Sequence, residues 1–210
     1  ELSSIPVIGI TGTRGKSTVA HMVAAVLKEA GKPVLLGGNV RGISTLALLP
    51  DTTPEHTAVL ELDSWQLQGF GEARLSPHIA IFTTFFDDHA NYYANNPGAY
   101  LSDKANLFLY QNPEDTLVMG AQCAPLLIDA YGEHIVSRTV VADSAKLPEE
   151  VVLRIPGEHN RYNAALALFA ARAAGVDDAT ILKALAEFPG VPGRLERVRE
   201  VHDVKVYNDT

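Results

Sequence analysis

The chain has 210 residues, enough for one large domain, or a domain plus part of another, with a substantial buried core. Its formal net charge of −8 excludes a broad nucleic-acid-binding surface, which needs clustered Lys and Arg. The single cysteine, Cys123, excludes an internal disulfide framework or cysteine metal cluster, and no apolar run reaches the ~18 residues of a membrane span. We expect a cytoplasmic monomer without nucleic-acid or membrane partners. The start, Glu1-Leu2-Ser3-Ser4-Ile5-Pro6, has no signal-peptide order and no Met, and reads as cut from a longer chain.

Strand-like and helix-like stretches alternate, which predicts an α/β fold with a mainly parallel sheet flanked by helices. Pro6 to Thr11 reads as a buried parallel strand. Val19, Met22, Val23, Val26 and Leu27 recur at helical spacing, and Gly31 ends that helix. Val34 to Leu36 reads as a strand stopped by Gly37-Gly38. Thr57 to Leu62 and His78 to Thr84 read as further buried strands. Pro97 to Tyr110 predicts a helix opened by Pro97, and Thr116 to Met119 a short strand. Asn160 to Ala174 and Ala179 to Phe188 predict two more helices. The breaker cluster Pro189 to Gly193 places a boundary: residues 1–190 as one domain, residues 191–210 as a linker and the first strands of another. Those strands are expected at Val198 to Val201 and Val204 to Tyr207, around a His202-Asp203 turn.

Between the first strand and its helix lies Gly12-Thr13-Arg14-Gly15-Lys16-Ser17-Thr18. The first amides of a helix lack internal partners, and the helix dipole adds partial positive charge there. Glycines let backbone wrap a phosphate, Lys16 can reach terminal phosphates, and the Ser17 hydroxyl suits Mg²⁺. The commoner phosphate-loop pattern wants glycine five residues before Gly15, where Ile10 stands, so the shorter form applies. A plain glycine turn ahead of a lysine is the bland alternative. The flanking strand and helix favour a site for the phosphates of ATP.

With that loop in place, the chain resembles the Mur ligase family, and within it the branch that adds glutamate to UDP-N-acetylmuramoyl-L-alanine. The matching stretches run in order: the loop itself, Gly37-Gly38-Asn39-Val40, Leu60-Glu61-Leu62-Asp63-Ser64-Trp65-Gln66-Leu67, Asp88-His89, Lys104, Gly157-Glu158-His159-Asn160-Arg161-Tyr162-Asn163, Gly193-Arg194, and Asn208-Asp209-Thr210. The resemblance implies a phosphate-loop central domain, flanked in the family by a UDP-sugar domain and an amino-acid domain. The UDP-sugar domain is expected to be missing here and the amino-acid domain truncated, leaving the isolated chain inactive. It implies an ADP-forming ligase of peptidoglycan synthesis that activates a carboxylate as an acyl phosphate, with ATP and one or two Mg²⁺ ions.

Residue by residue, the resemblance puts Lys16, Glu61, His89 and Lys104 at the chemistry and Ser17, Glu61 and His89 on metal. Nucleotide contacts fall to residues 12–18 (Gly12, Thr13, Arg14, Gly15, Lys16, Ser17 and Thr18), Asn160, Asn163, Arg194 and Asp209. Substrate contacts fall to Asn39, Asp63, Ser64 and Gln66. Lys104 matches a family lysine that is carbamylated. On residue type alone, Glu61 has a surface alternative, Lys104 that of a solvated helix lysine, and His89 that of a hydrogen-bonded loop histidine, since Mg²⁺ prefers oxygen. Asn160 and Asn163 share one helix face. The sequence departs from the family pattern at Arg14, Asp63, Thr84, Phe86, Asn91, Tyr92, Gly193 and Thr210, mostly on the metal and substrate side. Another amide ligase of the superfamily, of folylpolyglutamate or poly-γ-glutamate type, and a nucleotide-binding module without ligase chemistry are the competing readings.

Overall fold

The computed structural model describes residues 5–40, 45–86, 88, 91–194, 196–202 and 204–208. Six strands form a wholly parallel sheet in the order β2-β3-β1-β4-β5-β6: β1 Val7–Thr11, β2 Val34–Gly38, β3 Thr57–Glu61, β4 Ile79–Phe82, β5 Thr116–Gly120 and β6 Arg138–Ala142. Parallel strands need crossovers, and helices supply them on both faces. Helices α1 (Lys16–Glu29), α5 (Glu158–Ala173) and α6 (Asp178–Glu187) cover one face. Helices α2 (Ser64–Ala73), α3 (Pro97–Ala105) and α4 (Ala124–Tyr131) cover the other. A hairpin of β7 (Glu196–Val201) and β8 (Val204–Asn208) forms a separate two-stranded sheet.

The apolar spacing of α1 decides its packing. Val19, Met22, Val23, Val26 and Leu27 are all fully buried against β1 and α5, each contributing roughly 1.5–3 kcal/mol. Gly31 then takes φ 72° and stops the helix. Among the described residues no helix is long and apolar enough to cross a membrane.

Three sequence expectations need correction. The second strand does not stop before Gly37-Gly38 but runs through both, because Gly37 pairs with Leu60 and Gly38 with Glu61. The helix from Pro97 ends at Ala105 rather than Tyr110, and Leu107 and Phe108 are buried from the turns that follow. The strand expected over residues 78–84 is confined to Ile79–Phe82, freeing Thr83 and Thr84 for other bonds. Helices α2 and α4 and strand β6 are additions that the sequence pattern does not announce.

The strand order makes β1 the point where the crossovers diverge. The connection from β1 leaves over the α1 face and that from β3 over the α2 face. Ligands of open α/β sheets bind in the crevice so formed, at the carboxyl ends of the strands. Gly38 sits at that edge with φ 85°, and a Cβ there would overlap the Glu61 carbonyl oxygen. Gly38→Ala is therefore expected to cost about 2 kcal/mol or more, lowering Tm by roughly 4 °C or more in thermal unfolding.

Candidate active site

The four residues between β1 and α1 turn on Gly12 (φ 139°) and Gly15 (φ 87°), conformations that L side chains rarely adopt. Helices α2, α3 and α6 are capped by the side chains of Asp63, Asn96 and Asp177. Helix α1 has no side-chain cap and no acidic residue in its first turn. Its first amides and its dipole thus remain available to an anion. Asn163 of α5 lies against Gly15, where a Cβ would meet its Oδ1. Asn160 accepts from Asn163 Nδ2 at 3.4 Å and donates to Pro156 O at 2.7 Å. The structure thus brings Asn163 to the phosphate loop with Asn160 beside it.

The loop is strapped to the chain after β4. Thr13 N donates to Thr84 O at 2.7 Å. Arg14 N donates to Thr84 Oγ1 at 3.0 Å, while the Thr83 and Thr84 hydroxyls donate to Arg14 O at 2.6 and 3.2 Å. Thr13 Oγ1 accepts from Phe86 N at 3.0 Å and donates to Phe86 O at 3.1 Å. Tyr162 of α5 donates to Thr83 O at 3.0 Å, and Gln122 pairs with both backbone groups of Phe85. Sequence reasoning missed these straps. The one available signal was a pair of threonines at the end of an apolar strand.

Three charged side chains converge behind the loop. Lys16 Nζ donates to Gly12 O at 3.1 Å and Thr13 O at 3.4 Å. Lys104 is 1% exposed, and its Nζ donates to Gly12 O at 3.1 Å and Thr11 Oγ1 at 3.3 Å, 4.7 Å from the centre of the Tyr100 ring. The solvated-helix alternative for Lys104 is therefore overturned. Burial holds the Lys104 amine down to about 7, with the Lys16 charge pushing the same way and Asp63 and Asp88 opposing. Burial also lowers Lys16, against the pull of Glu61, Asp63 and Asp88. Glu61 is 4% exposed at the end of β3, which overturns its surface alternative. Its Oε2 is buried with no hydrogen-bond partner among the described residues. A lone buried carboxylate oxygen is costly, and a cation is the partner that relieves it.

A cleft of about 490 Å³ opens beside this cluster, lined by Ser17, Asn39, Glu61, Arg194 and Asn208 among others. Asn39 N also donates to Glu61 O at 2.7 Å. Thr18 follows Ser17 in the first turn of α1 and is half-buried. Asp63 and Gln66 form a capping box that starts α2, with Gln66 N donating to Asp63 Oδ1 at 2.8 Å and Asp63 N to Gln66 Oε1 at 3.1 Å. Ser64 is buried between them, its Oγ also lacking a partner among the described residues. His89 and Asp209 lie outside the described residues. A larger, mostly apolar cavity of about 590 Å³ reaches Val7, Ala58 and His78 at the opposite ends of the strands, away from the loop.

The donors fit a hard divalent cation. Ser17 and Glu61 offer oxygen, and Glu61 supplies the unsatisfied atom. The described residues contain no cluster of three His, Cys, Asp or Glu, so phosphate oxygens and water would complete the shell. Cys123 is buried, and that burial pushes its thiol up to about 12, away from the reactive thiolate form.

Comparison with known proteins agrees with this geometry. The sequence family described as the Mur ligase middle domain matches residues 10–171. A UDP-N-acetylmuramoylalanine–D-glutamate ligase of Roseiflexus sp. (strain RS-1) is 35% identical, covering 98% of this chain and 50% of the relative. That of Geobacillus kaustophilus (strain HTA426) is 34% identical, covering 97% of this chain and 48% of the relative. The chain thus spans about half the length of the curated relatives it matches. A solved MurF from Acinetobacter baumannii shares the fold at TM-score 0.77 and 21% identity, over 98% of this chain and 51% of that one. Folylpolyglutamate synthase from Mycobacterium tuberculosis shares it at TM-score 0.74 and 18% identity, over 99% and 63%. With its phosphate loop, its buried Glu61 and Lys104 and a middle-domain match from residue 10 to residue 171, the chain belongs to the Mur ligase family.

Proposed function

We propose that residues 1–190 are the ATP-binding domain of a cytoplasmic ligase that joins D-glutamate to UDP-N-acetylmuramoyl-L-alanine, and that residues 191–210 lead into its amino-acid domain. The names of the relatives support this reading, since they match nearly the whole chain at 34–35% identity. The observation that carries the chemistry is the orphaned Glu61 Oε2 beside a phosphate loop that holds the buried Lys104 amine and the half-buried Lys16 amine. In the proposed reaction an acceptor carboxylate oxygen attacks the γ-phosphorus and ADP leaves. The glutamate nitrogen then attacks the acyl carbon and phosphate leaves.

Each residue has a role that its position allows. The α1 amides and Lys16 neutralise the charge spread over the transferring phosphoryl group. Asn160 and Asn163 bind the nucleotide on the α5 side, with Arg194 lining the cleft from the hairpin side, and Asp209 keeps the ribose role that the family resemblance gives it. Asn39 and Ser64 face the acceptor, while Asp63 and Gln66 hold the start of α2 in register. Ser17 and Glu61 would hold Mg²⁺, the family resemblance assigns His89 to a second ion, and a bound metal would supply neutralisation of the charge on the transferring phosphoryl group. A lysine amine held near 7 is largely neutral at physiological pH, the form that adds CO₂, so Lys104 is suited to become a carbamate.

The deciding experiment measures ADP release by the full-length protein with UDP-N-acetylmuramoyl-L-alanine plus D-glutamate, against folate-type acceptors plus glutamate. Release that requires both of the first pair supports the reading. Turnover confined to folate acceptors moves the protein to the folylpolyglutamate type, and acceptor-independent release makes it a nucleotide switch. Glu61→Gln, which keeps the shape and removes the charge, is expected to lower kcat by roughly a hundredfold or more while the fold is retained.

Lys104 gives a pH test. Its amine is neutral above about 7 and charged below, so carbamate formation and activity should rise as pH increases through that value. The unfolded chain keeps this lysine charged up to about 10.4. Between about 7 and 10.4 the unfolded state thus binds more protons, and stability should climb with pH. Lys104→Met is expected to abolish activity and to flatten that climb, read by denaturant unfolding across the pH range. Activity that is independent of bicarbonate would remove the carbamate from the mechanism.

A further inference from the structure

Five aromatic rings form a continuous ladder from the surface to Lys104. Trp65 and Tyr92 have centroids 5.4 Å apart with planes at 89°, and Tyr92 and Tyr93 are 4.8 Å apart at 76°. Tyr93 contacts Tyr100 at 5.1 Å, and Tyr100 contacts Phe85 at 5.4 Å. The inner end is buried, with Tyr93 8% and Tyr100 1% exposed, and Tyr100 carries Lys104 over its ring. The outer end reaches solvent: Trp65 is 41% and Tyr92 56% exposed. Asp103 braces the ladder, its Oδ2 accepting from Tyr93 Oη at 2.9 Å and Gln68 Nε2 at 2.8 Å. Two large rings held rigidly at the surface have lost their rotamer freedom in advance, which favours stacking a ligand.

We propose that Trp65 and Tyr92 form a stacking shelf for the hexose ring of the acceptor, an inference that rests on reading that acceptor as a UDP-linked sugar. Position selects this occupant. The phosphate loop stands at the sheet edge between two helical layers. Asn160 and Asn163 belong to α5, in the layer with α1, so the nucleotide base lies on that side. The shelf belongs to α2 and the residues leading to α3, in the opposite layer. The acceptor carboxylate must meet the γ-phosphate at the loop, and its sugar is joined to that carboxylate by a short lactyl-alanyl arm. Trp65 is four residues beyond Glu61 and lies in the first turn of the helix that follows that strand, so the shelf and Glu61 share the carboxyl end of the sheet, at most ~14 Å apart along the chain. Aromatic faces pack well against the C–H faces of a pyranose, while Gln68 and the Tyr92 hydroxyl, 3.5 Å apart, give the shelf a polar rim for sugar hydroxyls.

Trp65 is the only tryptophan of these 210 residues, and in the full-length protein the difference in emission between wild type and Trp65→Phe isolates its signal. In the full-length protein, Trp65→Ala and Tyr92→Ala are each expected to raise KM for UDP-N-acetylmuramoyl-L-alanine roughly tenfold, with KM for ATP unchanged and Trp65→Phe recovering most of the loss. Acceptor binding should also change tryptophan emission in the wild type by an amount that Trp65→Phe removes. Turnover of this acceptor with unaltered KM in both alanine variants overturns the shelf while leaving the proposed reaction intact. Equal loss of ATP and acceptor affinity also overturns it, because that marks a structural role. A wild-type protein that binds no UDP-N-acetylmuramoyl ligand overturns the acceptor reading and the shelf with it.

Discussion

The side-chain nitrogens of Lys16 and Lys104 donate to one carbonyl, Gly12 O, each at 3.1 Å. Like charges this close would repel, and both amines are lowered by burial, Lys104 further by the charge of Lys16, to about 7. The fold tolerates the arrangement because Glu61, Asp63 and Asp88 pull the other way. The balance still leaves a loop with outward-pointing amides and the Lys16 charge behind it, with Lys104 the amine that gives up its proton more readily. The phosphates of a nucleotide carry the charge that such a loop suits. Much of the surrounding structure serves that constraint. The glycines let the carbonyl approach, the uncapped helix points its amides outward, and the straps beyond β4 hold the loop still.

The sheet's role is to bring distant pieces of chain to this one carbonyl. Gly12 is at the end of β1, Glu61 at the end of β3, Thr83 and Thr84 just beyond β4. These strands are neighbours in the sheet although their residues are far apart in the chain. Helix α3 reaches back so that Lys104 passes beneath the loop to Thr11, whose own hydroxyl donates to Leu62 O at 2.7 Å. The same helix carries Asp103 and Tyr100, so the ladder that ends at Trp65 is tied to the lysine through one rigid element.

What was legible in the sequence follows from how local each signal is. Helix α1 was readable because five apolar residues keep one period and a glycine closes it. Strand β6 was not, because it is an edge strand whose Arg138, Thr139 and Val141 face solvent, so it lacks the apolar run of a central strand. Helix α2 was hidden by Gly69 and Gly71 in its interior, and by a start, Asp63 to Gln66, that reads equally as a functional motif and as a capping box. Lys104 was only half legible. Its place on a helix was clear, but its burial is imposed by a loop more than ninety residues earlier, which no local pattern encodes.

The departures from the family pattern take on physical meaning once the straps are seen. Arg14 and Thr84 are separate changes in the sequence. In the structure the Thr84 hydroxyl grips the Arg14 residue at both ends, accepting from its nitrogen and donating to its oxygen. Phe86, a third departure, meets Thr13 Oγ1 through its backbone, a bond that any residue other than proline at that position could make. The change at 84 is thus a change in how the loop is held. The change at 86 leaves the strap untouched and places an exposed ring, 48% accessible, beside it. The Arg14 side chain is exposed while its backbone is fixed, so the loop gains positive charge without gaining freedom. These three departures therefore leave the backbone of the loop bonded in place, and what they change is the charge and the ring exposed on its outer side.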